Sequence, residues 1–434
     1  EFEFRSTRHG PVVSDIGVAR ELADENTVVS LAWSCLAGDD RTAAALFRMN
    51  RATSASELRA ALGDFSCPLQ NIIYADRFGS IGLAVAGKVP VRAALSAGSQ
   101  APAEGWTGAH DWTGYLTAPD LPQTADPATG WVANANDRVS PPGYPHFIAA
   151  RSEAPYRIER IGGVLAANDS MTIDDMTALQ FDTLSLAAEA LVPAMAGFLS
   201  PHIDDARAQD AMALLESWNR RVDRDEAAPL VLHAFMKEAG RSVLADELGA
   251  LYEEYRWWNV PLLLRLMQGD AEAEAWCDDT GTEATESCAD TLAAAFETAV
   301  GSVADEWGDD PAGWRWGAAH PARLMHPIWG NVVLANRILT PTLESAGDTF
   351  TVNRGTPDPG EDDAFFPNIH AAGVRFAIDF ADPDRSRFMI AGGQSGNIYS
   401  PHYDDLAPLW RDGAFLSIVG PAETVLTLSP PDHE

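Results

Sequence analysis

The sequence predicts an α+β protein in which a large helical insertion separates two groups of strands of one sheet system. Three observations carry this. Apolar and polar residues alternate with period two over much of residues 1–150, a helical period takes over from Tyr156 to Trp307, and alternation returns from Val374. Strands grouped before and after a helical block do not fit a doubly wound parallel sheet, where helices and strands alternate one by one. The division that follows is a β-rich part over residues 1–150, a helical region over 151–330 and returning strands over 331–434.

Taken in order, Glu1-Phe2-Glu3-Phe4-Arg5 alternates like the middle of a half-buried strand, so the polypeptide is expected to begin upstream of Glu1. Val28 to Cys35 and Asn71 to Ala75 read as strands, and Asp76 to Ser80 leads through a Gly79 turn into Ile81 to Val85 as a hairpin. Ser54, with Glu57 three residues on, caps a helix running to Leu62. Pro102, Gly105, Gly108, Pro119, Pro122 and Pro127 then punctuate a loop-rich stretch. Thr172 and Asp175 have capping-box spacing, and Met176, Leu179, Leu184, Ala187, Leu191 and Met195 fall on one face of the helix they open. Leu292, Phe296, Val300, Val303 and Trp307 make a second stripe; both stripes read as core faces. Near the C-terminus Val374, Phe376, Ile378 and Phe380 alternate with Arg375, Ala377 and Asp379, and an Asp382-Pro383-Asp384 turn leads into Phe388-Met389-Ile390.

Composition narrows the function. Sixty-three acidic residues against 30 Lys and Arg give a net charge of −33, which opposes polyanions, so neither nucleic acid nor an anionic membrane is an expected partner. The acids are scattered in short clusters, Asp204-Asp205, Asp278-Asp279, Asp309-Asp310 and Glu361-Asp362-Asp363, and read as solvated surface. No apolar run has the length of a membrane span. Cys277 and Cys288 bracket a turn-rich loop that a disulfide could staple in an oxidising compartment, or they stay as two thiols; Cys35 and Cys67 read as small core residues in strand-like segments.

Common catalytic motifs fail one by one. Gly393-Gln394-Ser395-Gly396 is followed by Asn397, not by the residue that would complete a nucleophile elbow. Phosphate-cradling glycine loops and the His-Glu-x-x-His zinc signature are absent, and the six-residue spacing of His320 and His326 matches no common ligand pattern, so both read as structural or surface histidines. By itself Asn134-Ala135-Asn136-Asp137 is a turn.

Several segments, in order, resemble the penicillin acylase family of penicillin, cephalosporin and acyl-homoserine lactone acylases. They are Arg8-His9-Gly10-Pro11, Leu31-Ala32-Trp33, Gln70-Asn71, Tyr74-Ala75-Asp76 with Gly79-Ser80-Ile81-Gly82, Gly130-Trp131-Val132-Ala133-Asn134-Ala135-Asn136, Tyr156-Arg157-Ile158-Glu159-Arg160-Ile161, and Leu179-Gln180-Phe181-Asp182. Gly393-Gln394-Ser395-Gly396, Ser400-Pro401-His402-Tyr403 and Trp410 close the series, which is loosest from Asp205 to Thr340.

The resemblance implies the four-layer αββα N-terminal-nucleophile hydrolase fold and hydrolysis of a linear amide in an N-acylated small molecule, of acyl-homoserine lactone or β-lactam type. In such enzymes a precursor cuts itself into two subunits and exposes a nucleophile whose own α-amine, with a pKa of ~7.7–8.0, is the base. Asn136 matches the family's oxyanion-hole asparagine, and Arg160 a family arginine that orients Asn136 or the terminal amine; read from the residues alone, Arg160 is a salt-bridge partner at a helix start, and both readings stay open. Trp33 and Gln70 fall where the family lines its acyl pocket, with plain core packing left open for Trp33; Gln70 is polar where some relatives are apolar, which leaves acyl preference open. His9 and His402 match family positions without an assigned chemistry. The small subunit and the start of the large subunit, with the nucleophile, are expected partners from the same precursor. Localisation is expected to be periplasmic or secreted. The chemistry needs no cofactor, and a structural calcium ion, common in relatives, is left open. Two other classes stay open: an inactive homologue with an interaction role, and a Ser-His-Asp hydrolase built on one of the ten histidines.

Overall fold

A computed structural model of the chain describes residues 3–94, 101–255, 259–326, 328–359 and 365–420. Glu1-Phe2 and the Glu361-Asp362-Asp363 cluster lie outside the described residues. The chain forms two compact units, residues 1–158 with 165–169, and residues 159–164 with 170–434. The helical region and the returning strands therefore belong to one unit.

Unit 1 opens with a tight hairpin, β1 (Ser6–Thr7) and β2 (Gly10–Pro11), that carries Arg8 and His9 at its tip. Gly10 has φ +143° and a Cβ there would collide with the Leu31 carbonyl, so only glycine allows that close approach. Helices α1 (Thr42–Met49) and α2 (Ala55–Leu62) follow, and the Ser54 hydroxyl caps α2 by accepting from the Glu57 amide. The main sheet runs β3 (Gln70–Ala75), β4 (Ile81–Ala86) and β7 (Gln123–Ala125), all antiparallel, with β5 (Pro90–Arg92) and β6 (Trp112–Tyr115) paired separately. Ala45, Leu62 and Phe65 bury Tyr74, Ala84 and Ala86, while Val85 joins a second cluster with Val89 and Leu121. Successive residues of β4 thus enter cores on opposite faces, which is why Ile81–Ala86 is apolar without a break.

Two expectations fail here. Val28 to Cys35 forms no strand: its one ladder contact is an isolated bridge from Ser30 to Val12, and Ser34–Leu36 is a 3-10 turn. An apolar alternating run becomes a strand only where a neighbour supplies a ladder. Cys35 and Cys67 are not free core residues but a disulfide, 32 residues apart in sequence with Cα atoms 5.2 Å apart. That separation is closed by the fold, so local sequence gave no sign of it.

In unit 2 the boundary helix α3 (Tyr156–Ala167) precedes α4 (Ile173–Leu179), α5 (Leu186–Leu199), α6 (Ala206–Ser217), α7 (Ala228–Leu248), α8 (Tyr252–Tyr255), α9 (Val260–Met267), α10 (Ala271–Glu274) and α11 (Cys288–Trp307). Thr172, Ser185, Asp205, Asn259 and Ser287 each accept a first-turn amide; of these starts only the one at Thr172 is expected from the sequence. The single stripe read from Met176 to Met195 is in fact two helices. Ser185 starts a second helix, Leu184 bridges Arg221, and Met176 stays 39% exposed. The α11 stripe does face the core: Leu292, Phe296, Val300 and Val303 are at most 1% exposed, and Phe296 meets Phe235 of α7 edge-on at 5.7 Å. Cys277 and Cys288 form the disulfide read from their spacing, with Cα atoms 5.0 Å apart.

The rest of unit 2 comprises α12 (Trp316–Ala319), β8 (Pro321–Arg323), α13 (Val333–Leu339), β9 (Thr342–Glu344), β10 (Gly355–Pro357), β11 (Asn368–Ala371), β12 (Val374–Ala377), β13 (Arg387–Ile390), α14 (Ala407–Arg411) and β14 (Leu416–Ser417). Strands order as β10-β11-β8-β9 and β12-β13-β14. The β12/β13 hairpin forms as read, yet its polarity is inverted: Arg375 and Ala377 are buried, whereas Val374 and Phe376 are about half exposed. The Arg375 guanidinium donates to Trp410 O at 3.1 Å and Asn353 Oδ1 at 3.0 Å and lies over the Phe181 and Trp410 rings. Burial pulls its pKa down to about 10. A guanidinium with both Nη groups bonded and two aromatic rings beneath it can occupy an interior face that alternation alone assigns to apolar side chains, even with its Nε left without a partner.

Candidate active site

The Asn134–Asp137 loop is shaped by its own side chains. Asp137 Oδ1 accepts from the Ala135 amide at 2.9 Å and from Asn134 Nδ2 at 3.2 Å, and Asn134 Oδ1 accepts from the Asn136 amide at 3.2 Å. This network of Asx bonds turns Asn136 into the left-handed region at φ +62°, which asparagine tolerates better than most residues. Asn71, at the start of β3, reaches the same loop by donating to Asn134 Oδ1 at 3.4 Å.

Asn136 is exposed, but its side chain is oriented. Arg157, with a side chain 11% exposed, donates from Nη2 to Ala135 O at 2.6 Å and to Asn136 Oδ1 at 3.2 Å, and the Glu153 amide donates to Asn136 O at 2.9 Å. With the oxygen of the amide held by a cation, the Nδ2 hydrogens face away from Arg157 as donors. This is the geometry an oxyanion hole needs: a neutral donor aimed in advance.

The guanidinium on Asn136 is therefore Arg157's. Arg160, one turn along α3, donates from Nη2 to Asp182 Oδ2 at 2.6 Å, and Asp182 Oδ1 accepts the Leu184 amide at 2.8 Å. Both arginines stand in the Tyr156–Ile161 motif; the three-residue offset that separates their partners becomes legible only once α3 has a face. Trp33 is 51% exposed just before the Ser34–Leu36 turn, and Gln70 is the exposed first residue of β3, paired with Ala86. Cys35 and Cys67 join the chain two residues after Trp33 to the chain three residues before Gln70. The cavity of about 380 Å³ in unit 1, walled by Leu62, Phe65, Val85 and Leu121, contains none of Trp33, Gln70 and Asn136.

A further pair escaped the motif reading. His9 Nε2 lies 2.9 Å from Asp111 Oδ1, and Arg8 binds the other carboxylate oxygen and donates to Gly105 O at 2.6 Å. The Arg8 bond, then the His9 bond, holds the Asp111 carboxyl below its usual pKa. His402 Nδ1 pairs locally with Asp405 at 2.8 Å, and Ser395 sits in a turn whose amide donates to His402 O.

Unit 2 contains a histidine–aspartate pair, but not an accessible one. His233 Nε2 is 3.5 Å from Asp348 Oδ2 with both side chains at most 1% exposed, and His233, Trp316 and His320 stack at 4.4 Å intervals. His320 Nδ1 donates to Phe366 O at 2.7 Å. Burial depresses His233 to about 4 and His320 to about 3 and pushes Asp348 up to about 7. Enclosed imidazoles this reluctant to accept a proton do not serve as a general base toward an outside substrate.

Among the described residues no group of three or more His, Cys, Asp or Glu is placed to hold a metal ion. The calcium ion left open by the resemblance enters no step below.

The α+β fold is that of the N-terminal-nucleophile hydrolases. The family model for penicillin amidase matches residues 1–426, and the chain belongs to that family. It is 27% identical over 96% of its length to the penicillin acylase 2 proenzyme of Pseudomonas sp. (strain SE83), covering 52% of that protein. It is 28% identical over 95% of its length to the acyl-homoserine lactone acylase QuiP of Pseudomonas fluorescens, covering 51% of it. The chain thus spans about half the length of the curated relatives it matches. A thermostable penicillin G acylase from Alcaligenes faecalis superposes over 99% of this chain and 79% of its own, with a TM-score of 0.67 at 17% identity. That likeness carries the fold.

Proposed function

We propose that this chain forms the greater part of the large subunit of an exported amidohydrolase that cleaves the linear amide of an N-acylated small molecule, acyl-homoserine lactone or β-lactam in type. The nucleophile and its α-amine base come from the first segment of the large subunit, and the small subunit of the same precursor is the partner chain. The observation that carries the reading is Asn136, its side-chain oxygen held by Arg157 and its amide hydrogens free to donate.

In the proposed reaction the nucleophile's hydroxyl adds to the scissile carbonyl while its own α-amine takes the proton. The carbonyl oxygen becomes an oxyanion, to which Asn136 Nδ2 donates; the amine leaves with the proton, and water releases the acid. Nucleophile, base and donor are all protein groups, so no cofactor is called for. Arg157 is the positioning residue for Asn136. Arg160 serves through Asp182, tying α3 to the segment after α4. Trp33 supplies a rigid apolar wall for the acyl chain and Gln70 a polar point beside it. Export to a periplasmic or extracellular compartment accords with all four cysteines being paired.

The test is release of free acid and amine from a panel of N-acyl substrates by the full gene product, wild type beside Asn136→Ala. Loss of turnover in a processed, folded variant supports the reading. Equal turnover removes Asn136 from the mechanism, and no turnover in either protein makes the chain an inactive homologue.

A further inference from the structure

We infer that the Cys35–Cys67 disulfide is a selectivity element: it ties the segment that carries Trp33 to the chain that enters β3, so that the acyl pocket keeps a fixed depth. The inference rests on the proposed placement of Trp33 and Gln70 at that pocket.

The two ends of the cross-link differ in how firmly they are held. Cys67 is 8% exposed, and its amide and that of Ser66 both donate to Thr42 Oγ1 at 3.0 Å, which fixes this end to the start of α1. Three residues on, Gln70 enters β3 in a continuous register with β4. The Cys35 end has no such support. The Leu31 amide donates to Pro11 O at 2.9 Å, and Asp39 pairs with Lys88. Between them, among the described residues, the backbone hydrogen bonds of the segment stay within it: Leu36 to Trp33 O, Ala37 to Ser34 O and Asp40 to Ala37 O. Packing does not replace them, because Trp33 and Leu36 are 51% and 52% exposed.

Within this chain, a half-exposed tryptophan on a segment without hydrogen bonds to the other described residues is not held in one place by packing or by hydrogen bonds. The disulfide holds it, because Cys35 is two residues from the indole and its partner is built into the scaffold. A wall that stays put lets each methylene of a bound acyl chain gain its full burial, about fourfold in affinity per methylene. A wall free to move must be ordered by the substrate, and long chains then lose the advantage they had over short ones.

The experiment measures kcat/KM for decanoyl and acetyl p-nitroanilides with the enzyme matured from the full gene product. Trp33→Ala is expected to lower the decanoyl-to-acetyl ratio by about tenfold or more, a few methylenes' worth. Cys35→Ala with Cys67→Ala is expected to lower it comparably, and Trp33→Ala added to that pair to lower it no further, the signature of residues acting as one unit. Cys277→Ala with Cys288→Ala removes the other disulfide and leaves the ratio unchanged, which separates positioning from general loss of stability. Should the double variant fail to accumulate, Cys35→Ala alone cuts the same link while the buried Cys67 side chain keeps its place. An unchanged ratio without the Cys35–Cys67 link, or losses that multiply when Trp33→Ala is added, overturns the inference. An unchanged ratio in Trp33→Ala itself overturns the pocket placement beneath it.

Discussion

Replacing Asn136 by aspartate separates the fold of the site from its chemistry. At φ +62° most L-residues pay about 1–2 kcal/mol, but aspartate, like asparagine, bonds locally and tolerates that region. The Oδ1 that accepts from Arg157 at 3.2 Å is retained and becomes charged, turning a cation–dipole hydrogen bond into an ion pair. Thermal stability should therefore hold or rise. Turnover should collapse, because the only atoms now facing the developing oxyanion are acceptors. Loss of one such donor costs about 10²–10³ in kcat, or ~2.7–4 kcal/mol of transition-state stabilisation, and a like charge adds to it. Asn136→Gly completes the comparison, keeping the backbone angle while removing donor and acceptor together, with the same kinetic loss and a lower melting temperature. The assay is kcat for release of amine from an N-acyl substrate beside a calorimetric melt of each purified variant. Asn136→Asp turning over within tenfold of wild type would refute the argument, since a carboxylate in place of the amide cannot donate to the oxyanion.

Arg157→Met, which keeps the apolar stem and removes both hydrogen bonds, should lower kcat more than it changes KM and should also lower the melting temperature, read from steady-state kinetics and a melt. Arg160→Met breaks a pair whose side chains are 23% and 11% exposed; it should destabilise the protein by about 1–3 kcal/mol in urea unfolding, with kcat reduced far less than in Asn136→Asp. The buried unit 2 pair sets a pH dependence with opposing signs. His233 and His320, depressed to about 4 and 3, cost stability as pH falls from about 6.5 toward those values, because the unfolded imidazoles take up protons that the folded ones refuse. Asp348, raised to about 7, acts the other way, costing stability as pH rises from about 4 to 7. In Asp348→Asn only the histidine contribution is left, so melting temperature between pH 4 and 6.5 should fall more steeply with acid than in wild type; an equal slope contradicts the assignment.

Local chemistry was legible wherever a residue acts on its own neighbours. Ser54 and Thr172 cap helices because a hydroxyl reaches an amide three residues on, and Leu292 to Val303 face the core because their spacing matches the helical turn. The same holds for the Asn134–Asp137 turn, whose bonds span two or three residues. Legibility stopped where the partner is remote. Alternation at Val374–Phe380 could not say which face is interior, because a guanidinium bonded to Asn353 and Trp410 outweighs the hydropathy of its neighbours.

By itself the sequence determined the α+β class, the starts of α2 and α4, the 277–288 disulfide as one of two readings and, through its motifs, Asn136 as the residue to watch. Tertiary structure alone decided that Arg157 is the arginine that holds Asn136, that Cys35 joins Cys67 across 32 residues, and that Val28 to Cys35 has no ladder to make it a strand. The reason is one of range: caps, turns and stripes are contacts within a turn or two of chain, whereas an ion pair, a disulfide or a strand edge is made with whatever the fold brings alongside.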